Sequence, residues 1–115
     1  QNTRKKPRVH SLAETSKNTA LFCTNYEMTL GARIALNEMH VRIPQDLSLI
    51  GFDDMDMTNA IFPNTTLVTQ PMAAISDCAA ERMLSLLSDP ETVHQVIMLP
   101  AALKKGDTVA AQRCE

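Results

Sequence analysis

The sequence predicts an α/β domain built on a parallel sheet, and three observations carry that expectation. Leu47-Ser-Leu-Ile-Gly-Phe52 is a short, almost unbroken apolar run that ends abruptly in Asp53 and Asp54. Thr19-Ala-Leu-Phe-Cys-Thr24 is a second run of the same kind. Runs without polar alternation are how strands buried on both faces read in a parallel sheet. Between and after them lie stretches of helical periodicity, giving the order β-α-β-loop-β-α-β. That alternation argues for an α/β sheet with right-handed crossovers.

The elements follow in order. Residues 1–18 are polar and weakly periodic, with Arg4, Lys5, Lys6 and Arg8 forming a basic run broken by Pro7. Such a run could be a nucleic-acid arm, but no aromatic residues interleave and no recognition-helix pattern follows. A solvated connector is the better reading. After the first strand, Thr24 and Glu27 are spaced as a capping box, with Asn25 an alternative cap. Met28, Ala32, Ala35, Leu36 and Met39 then recur at helical intervals. Gly31 inside that helix costs about 1 kcal/mol relative to Ala, and a close approach of helix to sheet would explain it. The pattern stops near His40, and Pro44 forbids continuation.

Beyond the organising strand, Asp53 to Pro63 is a loop rich in Met, Asp and Asn. Thr65 to Thr69 is a third strand-like run, and Pro71 suits a first helical residue after Gln70. Met72, Ile75, Ala79, Met83 and Leu86 form one apolar helix face that ends near Ser88-Asp89-Pro90. Val93 to Leu99 reads as a fourth strand, cut by Pro100. Residues 104–115 read as a polar tail that frays.

Composition narrows the function. The 115 residues are one domain's worth of chain or a piece of a larger protein, with 44% hydrophobic content and a net charge of −2. A pI near 5.9 offers no strong attraction to nucleic acid or an anionic membrane. Aromatic residues are scarce, so base stacking is not a main device. Cys23, Cys78 and Cys114 lack metal or disulfide spacing and read as small buried thiols in a reducing cytoplasm. No apolar run is long enough to cross a membrane, and no signal peptide opens the chain. The cytoplasm is the expected location.

Ligands of open α/β sheets bind just beyond the carboxyl ends of the strands. Asp53 stands at that place, where a carboxylate can accept two hydrogen bonds from sugar hydroxyls or one from a base N–H. The plainer alternative is a carboxylate capping nearby backbone. Asp54 should point the other way by strand alternation. Asn25, after the neighbouring strand, offers donor and acceptor together, or serves simply as a helix cap. Gln70 is either a ligand contact or a polar turn residue before Pro71. His10, His40 and His94 match no metal spacing. Asp53, Asp54 and Asp56 lack the glycine and distal Glu of a calcium loop. Neither a nucleophile elbow nor a glycine-rich phosphate loop is present. No cofactor is expected, and no acid/base pair points to an enzyme.

Four blocks resemble the LacI/GalR (lactose-repressor) family of bacterial transcription regulators. Ala20-Leu-Phe-Cys-Thr-Asn-Tyr-Glu-Met-Thr-Leu-Gly31 is similar to its strand followed by Asn-Asp-x-x-Ala-x-Gly. Ile43-Pro-Gln-Asp-Leu-Ser-Leu-Ile-Gly-Phe-Asp-Asp54 resembles its (V/I)PxD(V/I)S(V/I)(V/I)G(F/Y)DD signature. Pro63, Thr65-Thr66 and Gln70-Pro71 resemble PxLTTVxQP, and Ala79-Ala80-Glu81 falls at its next Ala-Ala-Glu. The resemblance covers roughly residues 19–103. Tyr26 departs from the family's Asp. Lys104 and Lys105 stand where an apolar strand is usual, and Gly106 stands at an Arg position, so a poorly formed last strand is expected.

The resemblance implies a type I periplasmic-binding-protein-like fold, present as its C-terminal part without the helix-turn-helix headpiece and first subdomain. Residues 19–69 would belong to the C-terminal subdomain, and the elements in 71–99 would cross to the N-terminal one. A helix built to cover a missing sheet leaves Ile75, Ala79 and Met83 without a cover, which predicts a fragment that is weakly stable, dimeric or swapped. A sugar or nucleoside-like effector would bind between subdomains through Asn25, Asp53 and Gln70. Homodimerisation would use the Met55–Phe62 loop, anchored by Met57, Ile61 and Phe62, with the helix start Thr29, Ala32 and Arg33. For Met57, Ile61 and Phe62, ordinary core beneath the loop is the alternative. Operator DNA would be contacted only by the headpiece. The other reading of the resemblance is a periplasmic sugar-binding protein of the same fold, which an upstream signal peptide would support.

Overall fold

A computed structural model describes residues 18–54 and 63–112. Four strands and two helices follow one another in the order β1 (Ala20–Phe22), α1 (Tyr26–Glu38), β2 (Ser48–Phe52), β3 (Thr66–Thr69), α2 (Met72–Ser88) and β4 (Ala102–Lys104). The strands form one sheet in the order β1-β2-β3-β4. β1 with β2 and β2 with β3 are parallel, and β4 joins β3 antiparallel with Thr69 opposite Ala102. The α/β expectation and the first three strands therefore stand.

Helix α1 lies against β2 and makes the core. Asn25 is its cap: the backbone there is extended and its Oδ1 accepts the Met28 amide at 2.8 Å. The buried face shares Ala32 and Leu36 with the one that apolar spacing marked, but Thr29 and Arg33 take the place of Met28. Thr29, Ala32, Arg33 and Leu36 are buried, while Met28 is 56% exposed. Thr29 can face the sheet because its hydroxyl donates to the Asn25 carbonyl at 2.8 Å, which removes the cost of burying it. Cys23, Ala32 and Leu49 pack together, with Leu21 and Ile43 against them.

The close helix–sheet approach falls at Gly51 rather than Gly31. A methyl on Gly51 would lie 2.7 Å from Thr29 side-chain atoms and 2.8 Å from Leu67 Cδ2. At Gly31 the same methyl would meet nothing within 4 Å. Along β2 burial alternates, with Leu49 and Gly51 buried and Ser48, Ile50 and Phe52 half-buried. Among the described residues only one face of the strand is tightly covered, and Phe22 is 53% exposed.

Two expectations for the C-terminal third fail. Val93 to Leu99 is not a strand. It runs back beside α2, with the Arg82 guanidinium donating to the Val93 carbonyl and the Thr92 hydroxyl to Ser85 O at 3.2 Å. An apolar, β-branched run becomes a strand only when a neighbour completes its ladder, and none does so among the described residues. Strand β4 instead forms three residues later, through the lysine-bearing stretch expected to be poorly formed.

Nor does the following segment fray. Thr108 is fully buried; its hydroxyl donates to Leu49 O at 2.6 Å and accepts from the Thr66 amide at 2.9 Å. Its carbonyl accepts the Leu49 amide at 2.8 Å. Ser48 Oγ bonds both backbone groups of Ala110. Gly106 permits this seam, because a methyl there would sit 2.3 Å from Asn64 O. Its amide donates to Thr66 Oγ1 at 3.0 Å, and Asp107 N to Asn64 O at 2.7 Å.

Candidate functional site

The carboxyl edge of the three parallel strands gathers Asn25, Asp53 and Gln70, each just past its strand. Asp53 directly follows β2, and its amide donates to Val68 O at 2.9 Å, continuing the β2–β3 ladder by one step. It then turns into the left-handed region, with φ 73°. A non-glycine residue at positive φ is uncommon, and such strain collects at functional sites. The turn presents its carboxylate to the next strand, where Oδ1 accepts from Gln70 Nε2 at 2.7 Å. Two of the three residues singled out from sequence are thus in direct contact.

Asn25 stands on the same edge, beyond β1, and its two readings meet there. Its oxygen is spent on capping α1, while among the described residues its Nδ2 has no partner. The cap fixes the side chain and leaves its amide NH2 unengaged among the described residues. Asp54 points elsewhere, as alternation predicts: its Oδ2 is 2.7 Å from Lys104 Nζ on β4. Sequence reasoning missed Lys104 because the lysine lies on a strand whose formation was itself in question.

The surface expected at the start of α1 does not exist in that form. Thr29, Ala32 and Arg33 are 0%, 7% and 8% exposed, so they are core and not a free patch. Arg33 is turned inward by its bonds, with Nη1 donating to the Pro63 carbonyl and to Thr65 Oγ1, the latter at 2.8 Å. Burial lowers the pKa of this guanidinium by desolvation. The outward side of α1 carries Ile34, which is 52% exposed. Met57, Ile61 and Phe62 lie outside the described residues.

No group of three or more metal-ligating side chains occurs among the described residues. No helix there is long and apolar enough to cross a membrane.

Residues 2–109 match the periplasmic binding protein-like domain, a match that extends past both ends of the stretch 19–103 marked by the sequence blocks. The chain is 40% identical over 98 residues to the probable HTH-type transcriptional repressor ExuR of Bacillus subtilis, covering 85% of this chain and 29% of that protein. It is 32% identical over 88 residues to the ribose operon repressor of Haemophilus influenzae, covering 76% and 26% respectively. A LacI family transcriptional regulator from Enterococcus faecium, solved with bound ribose, superposes with a TM-score of 0.78 at 29% identity, covering 89% of this chain and 38% of that one. The lac repressor dimer bound to operator and the anti-inducer ONPF gives 0.76 at 30% identity, covering 89% and 35%. The chain spans less than a third of the length of these two curated relatives. It belongs to the periplasmic-binding-protein-like domain family, and the proteins it matches here are LacI-type transcriptional regulators.

Proposed function

We propose that this chain supplies one wall of the effector cleft of a LacI-type transcriptional repressor. Its ligand is a small polyhydroxylated metabolite, a sugar or a nucleoside. Asp53 accepts the effector's hydroxyls, Gln70 lies beside it where its amide can follow ligand binding, and Asn25 donates through Nδ2. The observation that carries this reading is the Asp53–Gln70 bond on a strained strand end. Carboxylate and amide there are held at one spot on the edge where open α/β sheets bind ligands.

Residues 19–69 form the wall itself in this reading, and the elements within 71–99 cross to the opposite one. The exposure of α2, none of whose residues is buried, supports the crossing. Effector binding favours one closure over another, and a dimeric arrangement passes that bias to a separate DNA-binding headpiece. Dimer contacts then involve the Met55–Phe62 loop and the outward face of α1 around Ile34. Thr29, Ala32 and Arg33 are buried within the single chain and support that surface from beneath in this reading. The protein acts in the cytoplasm and catalyses no reaction.

The test is a thermal-shift screen against sugars and nucleosides, beginning with D-ribose, on the protein with both cleft walls present. A stabilising ligand should emerge, and its shift should be lost in Asp53→Ala. A shift that survives Asp53→Ala unchanged removes Asp53 from the site.

A further inference from the structure

Between β3 and β4 the chain leaves the sheet and comes back. It exits through Gln70-Pro71 into α2, and it returns through Pro100 into β4. Because Thr69 pairs with Ala102, exit and return lie side by side on the carboxyl edge. Each is held by one of two adjacent carboxylates at the end of β2. Asp53 takes the Gln70 amide on the exit side, and Asp54 takes the Lys104 ammonium on the return side, both at 2.7 Å. Among the described residues the excursion has little else to fix its angle, since α2 has no buried residue and Val96 and Met98 are 90% and 86% exposed.

We propose that Lys104 is a positioning residue of the effector site, acting through Asp54 to hold the return strand while Asp53 is free to exchange Gln70 for ligand. This rests on the effector reading above. An effector hydroxyl that takes Asp53 Oδ1 competes with the Gln70 amide for that oxygen, so ligand binding there loosens the exit thread. The Lys104–Asp54 pair does not compete with ligand and sets the angle about which the excursion swings. The pair is partly exposed, with side chains 47% and 32% accessible, and its effect is modest and salt-sensitive.

The experiment needs no ligand. In the protein with both cleft walls present, spin labels are placed by Glu38→Cys on α1 and Ser85→Cys on α2, both exposed sites, with Cys78→Ser and Cys114→Ser, any other exposed cysteine likewise replaced, and with buried Cys23 retained. Electron–electron dipolar spectroscopy then reads the distance between excursion and sheet. Lys104→Met and Asp54→Asn should each raise the population away from the main distance by roughly two- to fivefold. High salt should do the same in the unchanged chain, and Lys104→Arg should restore the original distribution. Circular dichroism identifies any variant that has unfolded, and the charge-exchanged pair Asp54→Lys with Lys104→Glu replaces it as the test, with restoration expected. An unchanged distribution in folded Lys104→Met, or Lys104→Arg behaving like Lys104→Met, overturns the proposal. Because no effector is present, this failure is distinct from failure of the Asp53 thermal-shift test.

Discussion

The sheet with α1 and the excursion from Pro71 to Ala101 are made of similar residues and meet different fates. In the first, Leu36, Leu49 and Leu67 are 2%, 0% and 1% exposed. In the second, Met83, Leu84 and Leu87 are 58%, 64% and 74% exposed on a helix of comparable apolarity. The 17-residue helix α2 nevertheless forms, because helix hydrogen bonds close within the segment. The apolar run at 93–99 does not become a strand, because strand hydrogen bonds need a neighbour. The contrast separates what local sequence can do alone from what requires a partner surface.

The largest effect expected from breaking this comparison is at the core. Leu49→Ala should cost about 2–5 kcal/mol in denaturant unfolding, whereas Leu84→Ala on α2 should stay within about 0.5 kcal/mol. Equal costs would mean that α2 is as well packed as the sheet. Next comes the seam at the C-terminal segment. Gly106→Ala should destabilise by about 1–3 kcal/mol, because the added methyl meets the Asn64 and Thr65 backbone, which cannot rotate away. If residues 106–110 were a fraying tail, that substitution would leave the unfolding midpoint where it was.

A smaller effect of opposite sign is expected at Gly31, where the methyl finds open space in a helix. Gly31→Ala should stabilise by up to about 1 kcal/mol, read as a rise in Tm. The smallest is a pH effect. Burial raises the Cys23 thiol pKa in the folded chain, so the unfolded chain loses that proton first as pH rises. The stability tied to the buried neutral thiol is complete below the usual thiol pKa, about 8.5, and declines as pH climbs past it. Denaturant midpoints between pH 7 and 10 should fall less steeply in Cys23→Ala than in the unchanged chain.

Much of the site was legible because strand ends are local signals. An apolar run that stops at Asp53-Asp54, a cap at Asn25 and a Gln-Pro step at 70–71 all announce where the chain leaves the sheet, and parallel pairing brings those endings to one edge. The buried face of α1 was read only in part, since Ala32 and Leu36 are buried as marked. Apolar periodicity marked Met28, but Thr29 and Arg33 find hydrogen-bond partners inside, at Asn25 O and at Pro63 O and Thr65 Oγ1, that spacing cannot reveal. The same limit concealed Thr108, a polar residue in a polar stretch whose burial depends on Leu49 and Thr66, both distant in sequence.

The amino-acid order by itself determined the α/β class, the extent of both helices and the edge at which Asn25, Asp53 and Gln70 come together, because propensity, capping and apolar runs act over a few residues. Tertiary structure alone decided which lysine joins the Asp pair, which glycine lets helix meet sheet, and that Ala102–Lys104 rather than Val93–Leu99 completes the sheet. Those outcomes depend on hydrogen-bond partners and steric neighbours drawn from far along the chain. No short window of sequence contains them.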